Sequence, residues 1–463
     1  MAKSMKEDDP RQVACQVLEK VDQEAGYANL EVNARLDKMN ASQEDKNLMT
    51  ALVYGVLQHQ FLLDFYLEPY IKKPKKLQAW VRQVLRLAVY QLVFLDHIPD
   101  YAAINEAVQY AKKRGHKGVS GLVNGVLRNF LRHDLRNPKD LADPVDRIRV
   151  SYSLPKWLVD KLIAQYGQKT AIDMAASYNK PAKLSLRVNL DKVSREEACT
   201  QLEASGYQVQ KSNLASCGII VAGGLPTSHP LYQAGAIRIQ DESAMLVGLA
   251  LDLKSHYKVA DLCAGPGGKS GHIASYLKAE VGGQLYASDI YDHKLDLIED
   301  SLESQGYASL AQVKKLDGRL AGQVYPDNFF DRILIDAPCS GMGLLRRKPD
   351  MRYNKDVASL TALPELQLAI LNAAGPLLKE GGKLVYATCT ILQEENQAVI
   401  QAFLKENPEF SLEKIPFDQN QYLDNEGQVT ILPSDFDSDG FYLARLVKRK
   451  EASGSRQREN EKR

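Results

Sequence analysis

Two short motifs carry the residues best suited to covalent chemistry. Asp336-Ala-Pro-Cys-Ser-Gly341 and Ala387-Thr-Cys-Thr390 each place a cysteine just after an apolar run of strand length, RILID and KLVYAT. A thiolate is a strong nucleophile, but a free thiol is mostly protonated near pH 7 and needs nearby positive charge or hydrogen bonding to ionise. A buried thiol can also be a small hydrophobe. In loops that follow strands, however, packing alone gives cysteine no advantage, and Asp336 stands beside the pair. None of the six cysteines (Cys15, Cys199, Cys217, Cys263, Cys339, Cys389) forms a C-x-x-C pair. That argues against a disulfide framework and against a structural metal site, so we expect no metal.

A third motif, Cys263-Ala264-Gly265-Pro266-Gly267-Gly268-Lys269-Ser270, follows the strand-like run KVADL. Such a glycine-rich turn opening a helix lets backbone N–H groups approach a ligand closely. A P-loop needs glycine where Cys263 stands, and the dinucleotide fingerprint wants its third glycine where Ser270 stands. A nucleoside without a pyrophosphate fits better. Asp289 ends the run QLYASD and is placed to bind both ribose hydroxyls of an adenosine. Asp317 ends AQVKKLD and can reach the adenine edge; either aspartate can instead be a turn or cap residue.

These motifs need a scaffold that brings strand ends together. From about residue 240 to 448 short apolar strands alternate with helix-length spacers, which predicts a doubly wound sheet of parallel strands. The carboxyl ends of successive strands then face one crevice, where Cys339 and Cys389 can meet near the cofactor. ARLVK after Gly440 is a candidate closing strand.

The 463 residues exceed one core; at roughly 150 residues per domain about three domains are expected. To about Asp134 the apolar spacing is helical, with Val81, Val84, Leu85, Ala88, Leu92 and Leu95 on one stripe and Arg82 and Arg86 off it. We expect an all-α domain over 1–144, a small α/β unit over 145–232, a catalytic α/β domain over 233–449 and a disordered, mildly basic tail over 450–463. In the middle unit LSLRVNL alternates like a strand and sets Arg187 and Asn189 on one face. The net charge of +1 is uninformative about partners. Locally, Lys72, Lys73, Lys75, Lys76, Arg82, Arg86, Lys112, Lys113, Arg114, Lys117, Arg128 and Arg132 concentrate positive charge on the helical module, as an RNA-binding surface or simply a solvated one. No apolar run approaches 18 residues and the start, MAKSMKEDDP, has no apolar core of a signal peptide, so a cytoplasmic protein without membrane contact is expected.

Residues 97–130, HIPDYAAINEAVQYAKKRGHKGVSGLVNGVLRNF, resemble the RNA-binding helical domain of the NusB transcription antitermination family. Asp261 to Ser270, Asp336 to Gly341, Thr388-Cys-Thr390 and Asp439-Gly-Phe-Tyr-Leu-Ala-Arg445 resemble the successive motifs of the RNA cytosine-5 methyltransferases, and Gln240-Asp-Glu-Ser243 the segment preceding their cofactor strand. The order is similar to the Sun/Fmu branch of that family, bacterial methyltransferases of 16S, small-subunit, ribosomal RNA. Arg187 and Asn189 are similar to the Arg-x-Asn pattern of the family's small RNA-binding subdomain.

The resemblance implies a NusB-like bundle, a ferredoxin- or RRM-like middle subdomain and a Rossmann-like methyltransferase domain. It implies S-adenosylmethionine as methyl donor, with Cys263 to Lys269 around its methionine end, Asp289 on the ribose, Asp317 near the adenine and Asp336 bordering both cofactor and base. Cys389 is implied as the nucleophile on cytosine C6 and Cys339 as the residue releasing product. Ser270 and Met342 stand where many relatives have threonine. No obligate protein partner and no assembly beyond a monomer is implied. Alternatives are the same chemistry on transfer RNA or another structured RNA, a non-catalytic RNA-binding or antitermination factor, and a nicotinamide oxidoreductase, which leaves the two cysteine loops unexplained.

Overall fold

The computed structural model describes residues 8–24, 27–224, 226–353, 360–416 and 426–450; the expected disordered tail lies, from residue 451 on, outside them. The chain forms two compact units, one of residues 1–180 with 345–355 and one of residues 181–344 with 356–463.

The first unit is all helical, from Pro10–Glu24 through Ala79–Phe94, Asp100–Arg114 and Lys117–Leu131 to Lys156–Ser177. Its core gathers Leu18, Leu52, Val56, Leu63, Leu85, Val123 and Leu127, with Leu92 and Leu95 packed at its margin. Ala79–Phe94 buries Val81, Val84, Leu85 and Ala88 of the expected stripe and also Gln83, Arg86 and Gln91. Arg86 therefore does not belong to the basic surface: it is 3% exposed and grips Asp64 with two parallel bonds, Nε to Oδ1 at 2.7 Å and Nη2 to Oδ2 at 2.6 Å. Lys72, Lys73, Lys75, Lys76, Lys112 and Lys113 are exposed. Residues 345–355 also belong to this unit, and within it Arg352 donates from Nη1 to the carbonyls of Gln58 and Tyr152 at 2.9 Å and from Nη2 to that of Tyr178 at 3.0 Å.

The second unit contains two sheets. The smaller, four antiparallel strands in the order β2-β3-β1-β4, comprises β1 (Leu184–Val188), β2 (Gln208–Lys211), β3 (Gly218–Ala222) and β4 (Ile237–Ile239), with helix Arg195–Ala204 packed on it. Arg187 and Asn189 are each 1% exposed, so neither presents its side chain to solvent as an RNA-binding surface requires. Arg187 donates to Gln240 Oε1 and Gln305 Oε1 at 2.8 Å, and Asn189 to Tyr307 Oη at 2.8 Å. Sequence alternation exposes one face of a strand only when nothing covers that face; here the neighbouring chain from Gln305 to Tyr307 covers it.

The larger sheet has eight strands, β5 (Lys258–Asp261), β6 (Gln284–Asp289), β7 (Ala311–Lys315), β8 (Phe330–Asp336), β9 (Leu378–Thr388), β10 (Phe410–Leu412), β11 (Gln428–Ile431) and β12 (Phe441–Lys448). Their order is β10-β12-β9-β8-β5-β6-β7, with β11 on β12. β5 to β9 pair in parallel and β12 enters antiparallel beside β9, so the sheet is mixed. The architecture is thus an all-helical domain, a small α/β domain on four antiparallel strands and a larger α/β domain on a mixed sheet. From β5 the chain proceeds to β6 and β7 on one side and to β8 and β9 on the other, which opens a crevice at the carboxyl end of β5.

Candidate functional site

A cleft of about 470 Å³ occupies that crevice, lined among others by Cys263, Gly265, Asp289, Asp317, Asp336, Cys339 and Cys389. Seven of the twelve residues expected at the site therefore share one cavity. Ala264, Pro266, Gly267, Gly268 and Lys269 are not among its lining residues.

The turn after β5 is built for close approach. Gly265 donates its N–H to Asp289 Oδ2 at 3.1 Å, and a Cβ placed there would lie 2.7 Å from that oxygen and 2.5 Å from Lys294 Cδ. Gly267 has φ +97°, and its Cβ would meet the backbone of Ile298 at 2.9 Å. Gly268 begins the helix Gly268–Ala274 and faces open space. Beneath the turn Ser270 donates to Asp261 Oδ2 at 2.7 Å, a bond that a threonine hydroxyl would make equally well. Burial pushes Asp261 up to about 7, and the Asp336 charge adds to it.

Asp289, almost fully buried, also accepts from Tyr291 N–H and from Lys294 Nζ, each at 3.2 Å. Asp317 caps the turn Gly318–Gln323 through Arg319 N–H and pairs in parallel with the Arg319 guanidinium, Nη2 to Oδ2 at 2.6 Å, which holds its carboxyl below the ordinary value. It is at once a cap and a cleft residue. Lys294 and Arg319, which sequence reasoning missed, put two cations beside the two expected adenosine contacts. Only the fold aims them there.

Across the cleft Lys269 Nζ donates to Asp336 Oδ2 at 2.6 Å. Burial disfavours the ammonium, but this carboxylate outweighs it and the Lys269 pKa rises. The register pairs Asp336 of β8 with Ala387 of β9, so the following loops emerge side by side. Cys339 Sγ and Cys389 Sγ lie 3.3 Å apart. The hydrogen bond to Cys389, and then burial, push Cys339 well above an ordinary thiol. Gly343 closes the arrangement: its N–H donates to Cys389 O at 3.0 Å and its carbonyl accepts from Gly440 N–H at 3.0 Å. The segment from Asp439 thereby braces the cysteine loops, and Asp241, cap of helix Glu242–Leu251, accepts from Asp439 N–H at 3.2 Å.

Three family models match: the NusB family over residues 8–132, a ferredoxin-like domain of RsmF/B-like methyltransferases over 154–228, and the 16S rRNA methyltransferase RsmB/F over 248–447. The chain is 41% identical over 449 residues to a probable ribosomal RNA small subunit methyltransferase B of Bacillus subtilis, covering 96% of this chain and all of that one. It is 34% identical to the probable counterpart from Synechocystis, covering 95% and 99%. In fold it is similar to the crystal structure of PH0851, with a TM-score of 0.77 at 24% identity over 96% of this chain and all of that one. S-adenosylmethionine is the cofactor of such a methyltransferase, and the cleft suits it: glycines admit backbone contact, a buried carboxylate ends β6 and a second stands after β7. The chain belongs to the RsmB/F family of 16S ribosomal RNA methyltransferases.

Proposed function

We propose that this chain methylates C5 of a cytosine in small-subunit ribosomal RNA through a covalent adduct between Cys389 and cytosine C6. The observation that carries the reading is the contact of two thiols at the mouth of the cofactor cleft, beside the Lys269–Asp336 pair. Cytosine C5 is a poor nucleophile. Addition of the Cys389 thiolate to C6 breaks the 5,6 double bond and places electron density on C5. Bound S-adenosylmethionine supplies an electrophilic methyl group. C5 takes that methyl group, a base removes the C5 proton, the C6–S bond breaks, the double bond returns and Cys389 leaves as thiolate.

Lys269 lies within electrostatic reach of Cys389, and its positive charge favours the ionised nucleophile. Cys339, kept as a thiol, is assigned to product release. Asp336 is assigned a hydrogen bond with the cytosine amino group or N3. Cys263 to Lys269 hold the methionine end of the cofactor, Asp289 the ribose and Asp317 the adenine edge. The target base must leave its stack, at a cost of a few kcal/mol in a duplex and less in a loop. The substrate follows from the names of the relatives and from the NusB family match, with the exposed lysines of the helical unit as phosphate contacts. On the same reading the protein works in the cytoplasm.

The test mixes Cys339→Ala protein with S-adenosylmethionine and unmethylated small-subunit ribosomal RNA and looks for a covalent protein–RNA band on a denaturing gel. We expect a band that vanishes when Cys389 is also replaced by alanine. Wild-type turnover on that RNA with no dependence on Cys389 removes the mechanism; turnover on transfer RNA alone removes the substrate.

A further inference from the structure

The loop between β9 and the helix Gln397–Glu406 contains Glu395 and Asn396, which nothing in the chemistry above uses. Both are buried, Glu395 at 1% exposure, and so is Gln367 on helix Leu363–Ala374. A buried carboxylate is expensive, and it persists where its oxygens are satisfied by specific donors. Here every side-chain bond of the three residues goes to a neighbour of a thiol or to another member of the set. Glu395 Oε2 accepts from Ser340 N–H at 2.8 Å and Gln367 Nε2 at 3.1 Å, and Oε1 accepts from Thr390 Oγ1 at 3.3 Å. Gln367 Nε2 also donates to Pro338 O at 2.9 Å. Asn396 accepts from Thr388 Oγ1 at 2.6 Å and donates to Thr390 O at 3.0 Å. Ser340 and Thr390 hydroxyls meet at 2.8 Å.

The residues on both sides of Cys339, Pro338 and Ser340, and on both sides of Cys389, Thr388 and Thr390, are thus tied to one buried polar cluster. We propose that Glu395 and Asn396, with Gln367, are positioning residues that hold the two thiols in contact. Glu395 spans the two loops, and Asn396 fixes the turn that carries Cys389. The inference rests on the reading that this pair performs the chemistry, and it adds the device that keeps their separation fixed through adduct formation and release.

Thiol proximity can be measured without RNA or cofactor, so the test stands even if the cytosine reading fails. Full-length protein is treated with diamide, which takes two hydrogens from the thiol pair as the disulfide forms and is itself reduced to the hydrazine. The Cys339–Cys389 disulfide is followed by peptide mass. In Glu395→Ala we expect the disulfide to form about 100-fold more slowly, since misplacement by about an ångström costs reacting groups on that order. Its kcat should fall by a comparable factor with the KM for S-adenosylmethionine unchanged, the pattern of lost alignment rather than lost binding.

Glu395→Gln should restore much of both rates, because an amide can still accept from Ser340 N–H and bond the Thr390 hydroxyl. A folded Glu395→Ala with wild-type disulfide rate overturns the proposal. If that variant does not fold, Thr390→Val, which cuts the same span at nearly constant volume, decides: slower disulfide formation supports the proposal and an unchanged rate overturns it.

Discussion

In the proposed mechanism Cys389 is a thiolate when the base arrives and a leaving group when the product departs, and the side chains around it divide that work. A cation stands within reach in Lys269, while Cys339 at 3.3 Å keeps its proton. Cys389→Ala should abolish methylation and leave S-adenosylmethionine affinity nearly unchanged, as read by calorimetry beside a turnover assay; retained turnover removes its role as nucleophile. Asp289→Ala should instead weaken cofactor binding by about 1–3 kcal/mol through lost charge-assisted hydrogen bonds, and an unchanged Kd would place the ribose elsewhere. Asp261 makes a pH prediction. The folded chain holds its proton up to about pH 7, chiefly because the carboxyl is buried, whereas an unfolded aspartate releases it near pH 4. Between those values the native state binds more protons than the unfolded one, so stability falls as pH rises, by at most about 1.4 kcal/mol per unit, and is flat above. In urea unfolding Asp261→Asn should therefore gain on wild type between pH 5 and pH 8. A constant difference would mean that the carboxylate is ionised throughout. The two cysteines and the glycine turn were legible because nucleophile and turn chemistry depend on residue type; Lys294, Arg319 and Glu395 were not, because any exposed helix or loop carries such residues.

At the scale of elements, the apolar runs announced the strands, and the parallel core from β5 to β9 followed from helix-length spacers. What escaped was direction and cover. β12 runs antiparallel to β9, with Tyr442 opposite Thr388, which lets the Asp439–Gly440 segment turn back onto the cysteine loops. Gly343 records that approach. A Cβ there would lie 2.0 Å from Gly440 O and 2.8 Å from Cys389 O, both backbone atoms that cannot rotate away. Gly343→Ala should therefore displace the Cys389 loop and lower kcat about 100-fold, with about 1–3 kcal/mol of destabilisation from overpacking. Gly121→Ala is the contrasting case: on helix Lys117–Leu131 its Cβ meets nothing within 4 Å, so the helix should gain up to about 1 kcal/mol in thermal or urea unfolding. Equal effects of the two substitutions would show that the close approach at Gly343 is not rigid.

For the molecule as a whole, the unexpected feature is that the helical unit is completed by a piece of chain from the middle of the catalytic sequence. LLRRKPDMRY reads as a charged loop, and nothing in its composition says that Arg352 will be almost fully buried. It can be buried because three main-chain carbonyls, of Gln58, Tyr152 and Tyr178, lie at helix ends whose own partners have run out, and a planar guanidinium reaches all three. Asp350 contributes in the same way by accepting from Ala28 N–H at 3.3 Å at the start of a helix. Burial lowers the Arg352 pKa, and the neighbouring Tyr353 and Tyr178 oppose it. Arg352→Met keeps much of the volume and strips the donors, leaving the carbonyls of Gln58 and Tyr152 unsatisfied at about 1–3 kcal/mol or more while that of Tyr178 keeps Gln58 Nε2 at 3.1 Å, and should lower the unfolding midpoint of the helical unit. A fragment of residues 1–180, which lacks the segment entirely, should be less stable still and should gain protection at Gln58 to Leu62 and Tyr152 to Tyr178 in hydrogen exchange when a peptide of residues 345–355 is added. A fragment as stable alone as with the peptide would show that these carbonyls find other partners, and that the unit does not depend on the borrowed segment.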